Sequence, residues 1–188
     1  SQNVNVQLRV SGLRHNYDCG NDGLVGDQPD PRWRLWGGHS GANYTQYTGA
    51  VASCGGNTIS RDSRSCGLVN DFTPFLIANF TNISATVVNA DMECWEEDGC
   101  SGNCTPDNCG FPTFNSDDIH SVRGNIANIT FMNFAPCTFT NVGTYMRDAG
   151  NGYGADLEVY WEYVSIVPGS VTASQTLCCL LYTSPSPR

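Results

Sequence analysis

Residues 4–10 alternate strictly. Val4, Val6, Leu8 and Val10 are apolar; Asn5, Gln7 and Arg9 between them are polar. A period of two puts the apolar side chains on one face of an extended chain, so this segment is predicted to be a half-buried strand. The pattern returns near the other end, where Leu157, Val159, Trp161 and Tyr163 face away from Glu158, Tyr160 and Glu162. Trp33 and Leu35, set among Arg32 and Arg34, predict a second strand, and Tyr44 to Ala52 a third. Phe80 to Val88 is rich in Ile, Thr and Val, with Ile83, Ala85 and Val87 sharing a face. Asp91 to Trp95 and Ile126 to Phe134 are further strand candidates. Trp33 and Trp161 are expected in the core. Trp36 and Trp95, beside Gly or acidic residues, are expected at the surface as binding aromatics.

The stretches between these runs are loop-like: one from Asp18 to Pro31 rich in Gly, Asp and Pro, and a small, polar, cysteine-dense one over 100–118. No segment carries a 3.6-residue apolar period with caps. Strands separated by turn signals predict an all-β fold, an antiparallel β-sandwich or jelly roll with long disulfide-pinned loops. The 188 residues fit one domain with a tail. The domain is expected over 1–167, with 168–178 a linker or the start of further sequence. Ser1 is read as a processed N-terminus. No apolar run approaches the roughly 18 residues of a membrane span.

Charge narrows the function classes. The net charge is −9, which disfavours an electrostatic grip on nucleic acid. All nine basic residues are Arg. Without Lys there is no Schiff-base chemistry, no P-loop and no Lys–Asn isopeptide cross-link, so covalent stapling falls to cysteine.

The last residues, Cys179-Leu-Leu-Tyr-Thr-Ser-Pro-Ser-Pro-Arg188, resemble the translation of a transposase-type sequencing adaptor. The resemblance covers 179–188 alone. It implies a sequence assembled from reads, and a natural chain that ends or continues differently near Cys178. The domain itself resembles cysteine-rich extracellular β-sandwich glycoprotein modules only in general look.

Before the tail lie Cys19, Cys54, Cys66, Cys94, Cys100, Cys104, Cys109 and Cys137, an even set that suits a closed disulfide framework with Cys178 left over. The cluster Cys94, Cys100, Cys104 and Cys109 has spacing that also suits tetrahedral zinc. Five Asn-X-Ser/Thr sequons, at Asn43, Asn79, Asn82, Asn103 and Asn128, favour disulfides instead, since both features belong to a eukaryotic secretory route. N-linked glycans on these positions are expected to face outward.

Acidic residues gather in the loops. Asp18, Asp22, Asp27 and Asp30, with Glu96, Glu97 and Asp98, are candidate Ca²⁺ ligands if one end of a sandwich brings them together. The alternative is a solvated acidic surface. Glu96 with Asp118 is the kind of carboxylate pair that glycoside hydrolysis uses, but any acidic domain offers such pairs. His15, His39 and His120 show no metal spacing, and Gly38-His39-Ser40-Gly41-Ala42 misses the nucleophile elbow at its last position. The expected function is therefore a non-enzymatic structural subunit of an extracellular glycoprotein assembly, such as a surface filament, flagellar-hair-like fibre, coat or matrix. Its expected partners are its own copies or a neighbouring extracellular glycoprotein. The N-terminal strand is the expected pairing edge. A Ca²⁺-dependent carbohydrate- or protein-binding module is the first alternative, and a secreted glycoside hydrolase the second.

Overall fold

The computed structural model describes residues 2–16, 30–46, 59–60, 66–96, 118–150, 152–164 and 178. Ten strands run through them: β1 (Val4–His15), β2 (Pro31–His39), β3 (Ala42–Gln46), β4 (Ile59–Ser60), β5 (Gly67–Val69), β6 (Phe75–Ile83), β7 (Val87–Glu96), β8 (Asp118–Thr130), β9 (Thr140–Asp148) and β10 (Tyr153–Tyr163). A 3₁₀ turn, Phe131–Asn133, follows β8.

The strands form two antiparallel sheets. In the first, β1 pairs β10, β10 pairs β9, and β5 and β6 share the other side of β1. In the second, β2 pairs β7, β7 pairs β8, and β3 and β4 share the other side of β2. The protein is an antiparallel β-sandwich, as the alternation predicts.

The inner faces are the apolar halves of the alternating runs. Val4, Val6, Leu8 and Val10 of β1 lie beside Leu157 and Val159 of β10, all fully buried. Facing them are Trp33 and Leu35 of β2 and Val88, Ala90 and Met92 of β7, also fully buried. Trp161 is 5% exposed, so both core tryptophans fall where the pattern puts them. Burying side chains of this size stabilises by about 1.5–3 kcal/mol each. The outer face of the first sheet is a polar ladder instead. Arg9 pairs with Glu158, Asn5 Nδ2 donates to Glu162 Oε1 at 2.8 Å, and Arg14 holds Asp156 in two-pronged fashion at 3.0 and 3.1 Å. Burial pushes the Asp156 carboxyl up. The Arg14 and Thr144 hydrogen bonds and the Arg14 charge together outweigh that and hold it below the ordinary carboxylate value.

The sheets close on each other at both flanks. On one, Arg147 of β9 donates from Nε and Nη2 to the Val122 carbonyl of β8, at 3.1 and 2.9 Å. On the other, β6 leans onto β2 at Gly37. A Cβ there would fall 2.2 Å from the Ile77 carbonyl oxygen and 2.7 Å from Ala78 Cβ. The Thr45 hydroxyl of β3 lies 3.4 Å from the carbonyl oxygens of both Gly37 and Ile77.

Four expectations change. First, Phe80 to Val88 is two strands in different sheets: β6 ends at Ile83, where Asn82 takes a left-handed φ of 55°, and residues 84–86 cross to β7. Second, the predicted strand over 126–134 ends at Thr130, because the chain coils to bring Phe131 against Trp161 at a ring separation of 5.9 Å. Third, the N-terminal strand is not an edge. β1 has a partner on each side, so it presents no unpaired ladder to a neighbouring molecule. Fourth, Cys178 is not left over; it forms a disulfide with Cys137, which ties residue 178 back to the domain. The segments 165–177 and 179–188 lie outside the described residues.

Gly37→Ala is expected to lower stability by about 1–3 kcal/mol, because a methyl group must displace backbone rather than a flexible side-chain tip. The urea midpoint measures it. An unchanged midpoint would show that the flank is not pinched there.

Candidate functional site

Because Trp33 and Leu35 point inward, their neighbours on β2 point outward, and the register pairs Arg32 with Trp95, Arg34 with Glu93 and Trp36 with Asp91. Asp91 in turn lies opposite Asn125 of β8. The outer face of the second sheet thus joins aromatic, cationic and acidic side chains.

Its centre is Arg123. The guanidinium sits 4.4 Å from the centre of the Trp36 ring and 5.3 Å from that of Tyr44. Its Nε donates to Asp91 Oδ2 at 3.0 Å. Asn125 Nδ2 donates to the carbonyls of Ala90 and Ala127, at 3.2 and 3.1 Å, and reaches Asp91 Oδ1 at 3.5 Å. Tyr44 comes in from β3 across Gly38, where a Cβ would meet the Tyr44 ring at 2.8 Å. Burial raises the Tyr44 phenol above its ordinary value, and the charge and hydrogen bond of Asp91 add to this; Asn125 and Arg123 act the other way. Carboxylate and guanidinium neutralise each other here. What the cluster offers a ligand is stacking faces and hydrogen-bonding groups.

Trp36 is the only member of this cluster that the sequence had marked. It is half-buried, with Arg123 over its ring. Trp95, expected at the surface, is fully buried, with the Arg34 guanidinium 4.9 Å from its ring centre. The adjacent Glu96 was a poor guide to its exposure, since on a strand it points to the other face, while Glu93 shares the outer face with Trp95. Even Glu96 is only 4% exposed.

Asp30 and Glu96 do meet. Glu96 Oε1 accepts the Asp30 backbone N–H at 3.2 Å, while Arg32 Nη1 donates to the Asp30 carbonyl at 3.2 Å. The pairings of Pro31 with Glu96 and of Glu96 with Asp118 bring these three strand ends together at one end of the sandwich. The other candidate calcium ligands, Asp18, Asp22, Asp27, Glu97 and Asp98, lie outside the described residues. Among the described residues no group of three or more His, Cys, Asp and Glu side chains is placed to hold a metal.

The cysteine set needs one more correction. Cys94 keeps its thiol and is fully buried. It continues the inward series Val88, Ala90, Met92 and pairs with Trp33, so it packs as a small apolar core residue. Cys66 is disulfide-bonded. Cys19, Cys54, Cys100, Cys104 and Cys109 lie outside the described residues, as does the sequon at Asn103. The sequon residues Asn43, Asn79, Asn82 and Asn128 are all exposed. Of the histidines, His15 is fully buried, 5.9 Å from the Trp33 ring, and His39 stacks edge-on against Phe80 at 4.8 Å.

The chain matches no protein-family model and no curated protein. Solved structures resemble it loosely. A C2 domain of a plant extended synaptotagmin 1 aligns at 6% identity over 88% of this chain and 99% of that one, with a TM-score of 0.44. A Drosophila C2-DSL-EGF1 structure aligns at 11% identity over 95% and 83%, with a TM-score of 0.42. Human GIVD cytosolic phospholipase A2 aligns at 16% identity over 88% of this chain but only 18% of that one, with a TM-score of 0.41. Likeness at this level transfers no activity or ligand. The chain is defined by its own strand pairing as an antiparallel β-sandwich.

Asp91→Asn is expected to lower the Tyr44 pKa toward the ordinary phenol value, because a negative charge that opposes ionisation is removed. Site-resolved NMR titration of the tyrosine rings reads it; an unmoved Tyr44 would separate the phenol from Asp91.

Proposed function

We infer that this chain is a non-enzymatic structural subunit of an extracellular glycoprotein assembly. One observation carries the reading: every described sequon asparagine, on both sheets, is exposed, as attachment of a glycan requires. A buried sequon among them would have counted against modification. The bonded Cys66 and the Cys137–Cys178 link are in keeping with the same oxidising route. Since β1 is an interior strand, assembly contacts fall to the outer strands, the sheet faces or the loop-bearing end.

Electron microscopy of native material, with intact-mass analysis of the same sample, tests this. Regular filaments or arrays bearing glycan mass are expected. Dispersed glycosylated monomers would overturn the assembly.

A second reading, a calcium-dependent carbohydrate- or protein-binding module, is favoured by the bond from the Asp30 N–H to the Glu96 carboxylate, which brings two of the candidate acidic residues together. A ligand that binds only the folded state raises its stability. On this reading, calcium raises the melting temperature relative to chelator. An unchanged melt removes the metal from it.

A further inference from the structure

A cavity of 440 Å³ opens at the end of the sandwich opposite the Pro31–Glu96 pair. Its walls are Gln2 ahead of β1, Ser40 in the β2–β3 turn, the 84–86 crossing between sheets, Met132 in the 3₁₀ turn and Tyr163 at the end of β10. Tyr163, Met132 and Ala85 supply apolar surface; Gln2, Ser40 and Ser84 supply amide and hydroxyl groups. The Tyr163 ring is held edge-on against Trp161, with ring centres 5.1 Å apart and planes at 82°. An aromatic face beside hydroxyls and an amide suits a sugar ring, and pockets of about 300–1,000 Å³ take ligands of two-ring size.

The Asn82-Ile83-Ser84 sequon adjoins this cavity, with Ser84 in its wall. Asn82 is fixed by its surroundings: Asn3 Nδ2 donates to its side-chain Oδ1 at 3.0 Å, and its backbone N–H donates to Asn5 Oδ1 at 2.9 Å. The chain neighbours of this pair enter the wall. Gln2 adjoins Asn3, and Ser84 is the third residue of the Asn82-Ile83-Ser84 sequon. The left-handed turn at Asn82 starts the crossing whose residues line the cavity.

We propose that this cavity seats the first N-acetylglucosamine units of the glycan carried by Asn82 of the same chain. The proposal rests on the glycoprotein reading above and adds a site to it. Contacts between one aromatic ring and a sugar are weak, but a tethered ligand meets its site at an effective concentration of about millimolar, so weak contacts suffice. The seated sugars close the end of the sandwich over Met132 and Tyr163, and the direction in which the glycan leaves the protein is set.

Site-resolved mass spectrometry of the glycosylated protein, digested under native conditions with a peptide N-glycosidase, tests the assignment. A seated glycan is cleaved only from its released fraction, so Asn82 is expected to lose its glycan at least about tenfold more slowly than Asn43. Ala85→Arg fills the cavity and is expected to bring Asn82 up to the Asn43 rate without altering Asn43. Thr86→Trp, at an exposed position, gives the same result should Ala85→Arg not fold. Equal rates in the unaltered protein, or slow release from Asn82 in a folded cavity-filling variant, overturn the proposal. So does an unoccupied Asn82 beside glycosylated Asn43 and Asn128. Absence of glycan from every sequon would instead bring down the glycoprotein reading on which it stands.

Discussion

The contact between two apolar sheet faces governs this molecule. Neither sheet can bury its inner face alone, so each strand presents alternate residues to the other sheet and the rest to its own surroundings. The closeness of that contact is set at the flanks. At Gly37 the backbone of β6 comes where a side chain would otherwise stand, and at the opposite flank the Arg147 guanidinium spans from β9 to a β8 carbonyl. Much else follows from strand parity fixed by this packing: the polar ladder outside the first sheet, the Arg123 cluster outside the second, and the inward thiol of Cys94.

Parity also explains what the sequence could reveal. Where apolar and polar residues alternate without interruption, as in β1 and at the end of β10, the strand and its buried face were legible directly. Trp33 and Trp161 followed from the same rule. Cys94 and Trp95 were misread because they were grouped with chain neighbours rather than by parity. Val88, Ala90 and Met92 already announced that Cys94 points inward, and Trp95 therefore the other way. Which of the outward residues is covered depends on tertiary contacts that no period contains. The half-exposed strand β9 gave no signal, since Thr140 to Asp148 has no continuous apolar face. The sheet change at 84–86 was hidden because the residues on both sides are equally strand-like. Its mark is the left-handed backbone at Asn82, which a sequence does not display.

The Arg123 cluster was still harder to foresee. It draws Trp36 from β2, Tyr44 from β3, Asp91 from β7 and Asn125 from β8, four strands whose adjacency is a matter of topology. Only Trp36 stood out beforehand. The exposed sequon residues lie on the same framework but in different settings: Asn43 in a turn-proximal strand of the second sheet, Asn79 beside Gln7 outside the first, and Asn128 bonded to Asn125 at the edge of the cluster.

The pairing of the first strand with the last has an implication for how the molecule comes into being. Val4 finds Tyr163 as its partner, and the bonds between these strands join residues more than a hundred positions apart. Loop closure over such distances is entropically unfavourable and forms late, and chains rich in distant contacts fold slowly. A ribosome that has delivered everything up to β9 has made a sheet with its centre missing: β1 is waiting, one edge unpaired, for a strand not yet synthesised. Nearly the whole domain must therefore emerge before the first sheet can be completed, and it is during that interval that the growing chain depends most on being shielded from its neighbours.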